Sequence, residues 1–226
     1  MLWCNIRGKG MQSDKRYAWF KPYLTPPVRE LMDAGPSVAR NRLGSPRRAH
    51  VCILFSDIRG YTALSRNIDP DALRRTANRY IARHAWAVER HGGYVDNFTG
   101  DGVMAVFEGE GMTEAACHCA LEIVGMARQW QRAGRHGAAA VGVGLQVGDV
   151  VMGTLGCQSR MTYTAIGETV NTAARLCQHA RGPDVITTQA VLDEIPEGSR
   201  LRFDQLLSPG PEDLDPALTL YWLERD

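Results

Sequence analysis

The chain has 226 residues, 26 basic and 25 acidic side chains for a formal net charge of +1, and 44% hydrophobic content, enough for one full core and too little length for a second complete domain. Its arginines are spread along the chain instead of packed into one basic run, which removes the case for a nucleic-acid partner. No stretch approaches the roughly 18 uninterrupted apolar residues of a membrane helix, and the N-terminus lacks a signal-type apolar centre, so a cytoplasmic protein with no membrane partner is expected.

Residues 1–48 read as an irregular N-terminal extension, punctuated by Pro26-Pro27, Gly35-Pro36 and Arg47-Arg48, with one short helix near Val28–Ala34; Met11 is as good a start as Met1. Residues 49–226 read as the catalytic domain. It opens on Val51-Cys52-Ile53-Leu54-Phe55, a continuous apolar run of the kind that makes a buried central strand, ended by Ser56-Asp57. A long helix follows, with Leu73, Ala77, Tyr80, Ile81, His84 and Val88 on one face and Gly92-Gly93 as its stop. Next comes a hairpin of Tyr94–Phe98 and Val103–Phe107 around Thr99-Gly100-Asp101-Gly102, whose glycines permit a tight turn.

A second helix is predicted over about Thr113–Arg132, then glycine-dotted strands at Val141–Val147 and Val150–Leu155, and a helix at Thr169–His179. Residues 183–194 read as a short strand plus helix and Ala217–Leu223 as a closing strand. Strand, helix, hairpin, helix, strand is the order of an α+β fold with a ferredoxin-like βαββαβ core, helices on one face, here with a C-terminal αβ extension. Of the six cysteines, Cys52, Cys157 and Cys177 sit among apolar or small residues, so reduced, mostly buried thiols are expected. Cys117-His118-Cys119 brings good zinc ligands together in sequence, but a helix sends positions two apart to different sides, and no metal site is expected there.

Asp57, ending a buried strand, and Asp101, at the hairpin turn, come side by side if those strands pair antiparallel. Two carboxylates on one edge are what two hard cations need when they sit roughly 3.5–4 Å apart and clamp a reacting phosphate. Aspartates are also common as solvated residues at strand ends and turns, so the surroundings decide. After Asp57 comes Ile58-Arg59-Gly60-Tyr61-Thr62, a turn opening a helix whose free N–H groups suit a triphosphate; Arg59, Gly60, Tyr61 and Thr62 are the expected nucleotide-binding residues.

The blocks FSDIRGYTAL, GGYVDNFTGDGVMAVF, VGVGLQVGDVVMGTLG and YTAIGETVNTAARL resemble the motifs of class III adenylate and guanylate cyclases, over about His50 to Leu192. The resemblance implies the class III cyclase fold and formation of a 3′,5′-cyclic nucleotide from a nucleoside triphosphate. It implies that Asp57 and Asp101 bind two divalent cations, Mn²⁺ or Mg²⁺, with the main-chain carbonyl of Ile58 contributing to one. By the same resemblance Asn171 orients the ribose and Arg175 stabilises charge on the α-phosphate. The aspartates of one subunit would face the Asn171 and Arg175 helix of another, so a homodimer with two shared sites is implied.

Two positions depart from purine cyclases, which carry a lysine in the hairpin and an aspartate, threonine or cysteine before the Tyr-Thr pair to read the base. Here these are Asn97 and Thr162, and the chain's only lysines are Lys9, Lys15 and Lys21. An amide both donates and accepts where an ammonium only donates, so the hydrogen-bond demand on the base changes. A chain without a fused sensor and with altered readers resembles the stand-alone pyrimidine cyclases of bacterial anti-phage systems, which make cyclic UMP or cyclic CMP for a separate effector; UTP is the favoured substrate. Tyr61 or an N-terminal aromatic would stack on the smaller base, ordinary packing being the alternative for Tyr61. The rival readings are an adenylate cyclase with atypical base readers and an inactive nucleotide-binding module. A diguanylate cyclase is disfavoured because Gly92-Gly93 precedes Tyr94-Val95 instead of two acids and Phe.

Overall fold

The apolar run at Val51 lies in a 12-residue strand, β1 (Arg47–Ile58), with Val51, Cys52, Ile53 and Leu54 all buried, because the sheet is covered on both faces. The structure, a computed structural model, describes residues 18, 20–66, 68–134, 138–157, 159–182, 184–206 and 213–225. Before β1 come α1 (Pro26–Asp33) and α2 (Pro36–Leu43). After it come α3 (Tyr61–Ser65), α4 (Pro70–Arg90), the hairpin β2 (Tyr94–Thr99) and β3 (Gly102–Phe107), α5 (Met112–Arg132) and β4 (Val141–Cys157). The rest is β5 (Arg160–Ile166), α6 (Glu168–His179), β6 (Val185–Thr188), α7 (Gln189–Asp193), β7 (Leu201–Gln205) and β8 (Leu220–Arg225).

The strands form one sheet in the order β2-β3-β1-β4-β6-β8-β7, with β5 paired to β4 as an outlying arm. The β2-β3-β1-β4 part is the ferredoxin-like core. Alternation along β1 sends Cys52 and Leu54 under α4 and α5, and Val51 and Ile53 to the opposite face, where Ala165 of β5 and Ala173 of α6 close over them. Helix α4 begins as the sequence suggests: Pro70 sits in its first turn and the Asp69 carboxylate caps it, accepting from the Ala72 N–H at 3.0 Å. Its inner face buries Ala77, Tyr80, His84 and Val88.

His84 is 2% exposed, packs edge-on to Tyr80, and places Nδ1 2.9 Å from Ser56 Oγ, next to Asp57 in sequence. Burial lowers its pKa to about 4. Unfolded histidine titrates near 6.5, so between those values the unfolded chain takes up a proton that the folded one refuses. The contribution is intact above about pH 6.5 and lost as pH falls towards 4, by about 3 kcal/mol for a shift of this size. Buried carboxyls with raised pKa act in the opposite sense, so the expected result is a difference: denaturant unfolding of wild type against His84→Asn should show wild type losing about 3 kcal/mol relative to the variant from pH 7.5 to pH 4.

Several expectations are corrected. The strands placed at Val141–Val147 and Val150–Leu155 are one, β4, paired along the whole of β1 from Arg47↔Met152 to Ile58↔Val141 and then with β5. Its glycines serve close packing instead of a turn: a Cβ on Gly144 would lie 2.3 Å from the Ala173 carbonyl oxygen and the Cys177 nitrogen of α6. Within the described part of the extension, the helix expected near Val28–Ala34 is α1, begun two residues earlier at Pro26, and Gly35-Pro36 opens a second helix instead of an irregular stretch. Strands β5 and β7 were not anticipated, and the closing strand starts at Leu220, not Ala217. Cys117 and Cys119, expected on different sides of their helix, are both buried in the large core cluster, because the inner face of α5 is wide enough to bury both, with His118 turned outward; Cys157, expected to be buried, is exposed on the β4–β5 arm. No helix among the described residues is long and apolar enough to cross a membrane.

Candidate active site

Antiparallel pairing of β1 with β3, in register at Ser56↔Val103, sets Asp57 beside Gly102 and so next to Asp101 at the hairpin turn. Gly102 is required there, because a Cβ would fall 2.3 Å from the Ser56 carbonyl oxygen, and Gly100 turns the chain with φ +74. Asp101 is half-buried, and its Oδ2 is shielded from solvent without a hydrogen-bond partner. Burial, then the charge of Asp57 and a hydrogen bond between the two carboxyls, push the Asp101 pKa up to about 6, against a main-chain donor at Ile58 that lowers it. Two acids forced together, one with an unsatisfied buried oxygen, fit a cation site. Among the described residues no third His, Cys, Asp or Glu joins them, so carbonyls, water or substrate phosphates would complete the shell, as hard cations accept.

The turn after Ile58 is built on Gly60 in the left-handed region, φ +77, capping the five-residue α3. The expected nucleotide-binding residues separate here. Thr62 is exposed in the first turn of α3, whereas Tyr61 is half-buried against the large core cluster and does not line the cavity that holds Asn97 and Thr162. Arg59 also departs from expectation. Its side chain is 18% exposed, with Nη2 2.8 Å from Asp57 Oδ2 and Nη1 3.4 Å from the Gln178 carbonyl, so it ties the acidic edge to the C-terminal end of α6 instead of reaching outward.

Helix α6 carries Asn171 and Arg175 on its outer face, over an inner face of Thr169, Thr172, Ala173, Leu176 and Cys177. Both outward residues meet Glu168: Asn171 Nδ2 donates to its Oε2 at 3.2 Å and Arg175 Nη1 lies 3.6 Å from its Oε1. These are solvent-exposed contacts that hold the pair weakly. They leave an amide and a guanidinium presented together, one turn apart.

Asn97 of β2 and Thr162 of β5 are brought together in the wall of one cavity of about 390 Å³. The N-terminal segment from Pro22 to Arg29 forms its opposite side, so part of the extension borders this site. Two features of the cavity escaped the sequence. β2 has a bulge between Val95 and Asn97, and the extra residue, Asp96, is buried in the wall. Its Oδ2 accepts from Thr164 Oγ1 at 2.5 Å, Oδ1 has no partner, and burial raises its pKa to about 6. An acidic residue beside the lysine-replacing asparagine was the available signal.

Residues 43–205 match the adenylate and guanylate cyclase catalytic domain. Curated relatives include the adenylate cyclase of Anabaena cylindrica, 34% identical over 171 residues, covering 71% of this chain and 34% of that protein. An uncharacterised protein of Mycobacterium tuberculosis H37Rv is 33% identical over 175 residues, covering 73% of this chain and 30% of its own. The chain thus spans about a third of the length of these relatives. Among solved structures, a bacterial light-regulated adenylyl cyclase superposes with a TM-score of 0.80 at 23% identity, over 94% of this chain and 62% of the other. The adenylyl cyclase CyaB from P. aeruginosa gives 0.72 at 24% identity over 80% and 97% of the two chains, and the guanylyl cyclase Cya2 gives 0.68 at 24% over 78% and 92%.

Proposed function

This chain belongs to the class III adenylate and guanylate cyclase catalytic-domain family, and we propose that within it the chain is an active cyclase that closes a pyrimidine nucleoside triphosphate, UTP before CTP, into its 3′,5′-cyclic monophosphate and pyrophosphate. The observation that carries activity is the Asp57–Asp101 pair, a half-buried couple of acids with one orphaned oxygen, for which a pair of hard cations is the natural complement. Asp57 and Asp101 would hold two cations, Mn²⁺ or Mg²⁺, with the Ile58 carbonyl. When bound, these supply a lowered pKa for the ribose 3′-hydroxyl and neutralise the leaving pyrophosphate.

The chain's own groups do the rest. Asn171 bonds the ribose and fixes the line of attack on the α-phosphorus, and Arg175 meets the charge that grows on the α-phosphate oxygens. The turn at Gly60 and Thr62 offers main-chain N–H groups to the phosphates. Arg59 keeps Asp57 in place from behind. The working unit is a homodimer in which the acids of one subunit face the Asn171 and Arg175 helix of the next. Exposed Phe98, Leu155, Met161 and Ile166 on β2 and the β4–β5 arm support this, as apolar side chains that a second copy would cover.

The pyrimidine preference is supported by Asn97 and Thr162 sharing one cavity wall where a purine cyclase has a lysine. A site built around specific hydrogen bonds to one base rejects another by orders of magnitude. The product would act as a second messenger for a separate effector, in antiviral defence. A second reading, adenylate cyclase with atypical base readers, is favoured by the name of the Anabaena relative. Incubating the purified protein with Mn²⁺ and each of ATP, GTP, CTP and UTP, with product identification by mass spectrometry, decides between them. Cyclic UMP or cyclic CMP is expected; turnover of ATP alone establishes the second reading, and no product from any nucleotide rejects catalysis.

A further inference from the structure

Strict alternation along β2 would send residues 96 and 97 to opposite faces of the sheet. The bulge after Val95 cancels it: Val95 pairs with Ala105 and Asn97 with Met104, leaving Asp96 as the unpaired extra residue. Bulges of this kind re-aim side chains, and here two consecutive polar residues line the same cavity. Across from them, Thr162 and Thr164 are two apart on β5 and share a face. The Thr164 hydroxyl is spent on Asp96 Oδ2 at 2.5 Å, which fixes the carboxyl's orientation. What remains is Asp96 Oδ1: an acceptor on a residue 5% exposed, with no hydrogen-bond partner.

A buried carboxylate oxygen without a donor is unfavourable by itself and persists where a ligand completes it. The cavity already holds the two base-reading positions, so the missing partner is supplied by the base. We infer that Asp96, oriented by Thr164, is a specificity-determining residue that accepts a hydrogen bond from an N–H of the substrate's base, ring imino or exocyclic amino, behind Asn97 and Thr162. This rests on the proposed nucleotide-cyclase reading and extends it: base choice is set by an acidic acceptor as well as by the two altered readers. Asn97 has less acceptor capacity to offer, since one lone pair of its Oδ1 already accepts from the Phe98 N–H at 2.9 Å.

The test is Asp96→Asn, an isosteric change that keeps an oxygen for Thr164 and replaces the orphan acceptor with an NH₂ donor. Two readouts are needed: kcat/KM for the four triphosphates with Mn²⁺, and equilibrium binding of the corresponding 3′-deoxynucleoside triphosphates, which cannot cyclise. The expected result is a loss of about 10–100-fold in kcat/KM for the preferred nucleotide, mostly in KM, with a change in the order of preference and a matching change in 3′-deoxynucleotide affinity. Thr164→Val, which releases the carboxyl without changing its charge, should shift preference in the same direction by less.

An unchanged order of preference in both variants, or an equal fall for all four nucleotides with a lowered Tm, overturns the inference and leaves the cyclase reading intact. Conversely, a wild-type protein that makes no cyclic product yet binds 3′-deoxynucleotides with a selectivity that Asp96→Asn alters would remove the cyclase reading and support Asp96 as the reader.

Discussion

Replacing Arg175 with alanine is expected to lower kcat by about 10³–10⁵, the range for a guanidinium that meets charge only as a phosphoryl transition state forms. KM should move far less, because the interaction strengthens as the reaction proceeds. The folded protein should scarcely notice. The Arg175 side chain is 41% exposed and its contact with Glu168, at 3.6 Å, is a surface ion pair, so stability should stay within about 0.5 kcal/mol of wild type. Arg175→Lys should recover little, because an ammonium cannot present the planar fork. Steady-state kinetics alongside a thermal melt make the check; a small kcat effect, or a large effect matched by unfolding, removes Arg175 from the chemistry.

Asp101→Asn should abolish turnover to below about 1% of wild type, more than the 10–100-fold typical of losing a mere outer-shell partner of a metal ligand. In the absence of metal the same variant should be more stable than wild type. The carboxyl is held at a pKa of about 6 by burial and by Asp57, a strain that at neutral pH, discounted for solvent screening, is worth about 1 kcal/mol. Mn²⁺ should then raise the Tm of wild type but not of the variant. The two lesions also test the shared site. Mixing inactive Asp101→Asn and Arg175→Ala chains gives half heterodimers, each with one site free of both lesions, and about a quarter of wild-type activity should return. No recovery would mean that both halves of the site come from one chain.

Asp57 and Asp101 could be paired from sequence because a buried apolar run and a glycine turn leave one antiparallel arrangement, and β1 and β3 adopt it. Asn171 and Arg175 were equally legible, since four-residue spacing needs only a helix. Contacts made across the chain were not legible. Gly148-Asp149 looks like a turn between two strands until α6 is laid against it, where a Cβ on Gly148 would lie 2.8 Å from Thr169 Oγ1 and the same hydroxyl donates to the Asp149 carbonyl. Arg59 looks like a phosphate ligand until its side chain is seen to find Asp57 and the end of α6. The bulge at Asp96 has no local signature at all, for it depends on how β2 registers against β3. The helix near Val28 was legible from its pattern, whereas the one that starts at Pro36 is hidden when Gly35-Pro36 is read as an ending, although proline also suits a first turn.

The glycine contact beneath α6 constrains how activity can be turned up or down. A helix resting directly on the main chain of β4 at Gly144 has no layer of side chains to slide over, and Arg59 pins its far end to the acidic edge. Asn171 and Arg175 therefore travel with the sheet as one stiff arm. In the proposed homodimer, adjustment of the shared site would fall to rotation of one subunit's sheet against its neighbour's, a rigid-body change, with no play left for the helix to shift alone.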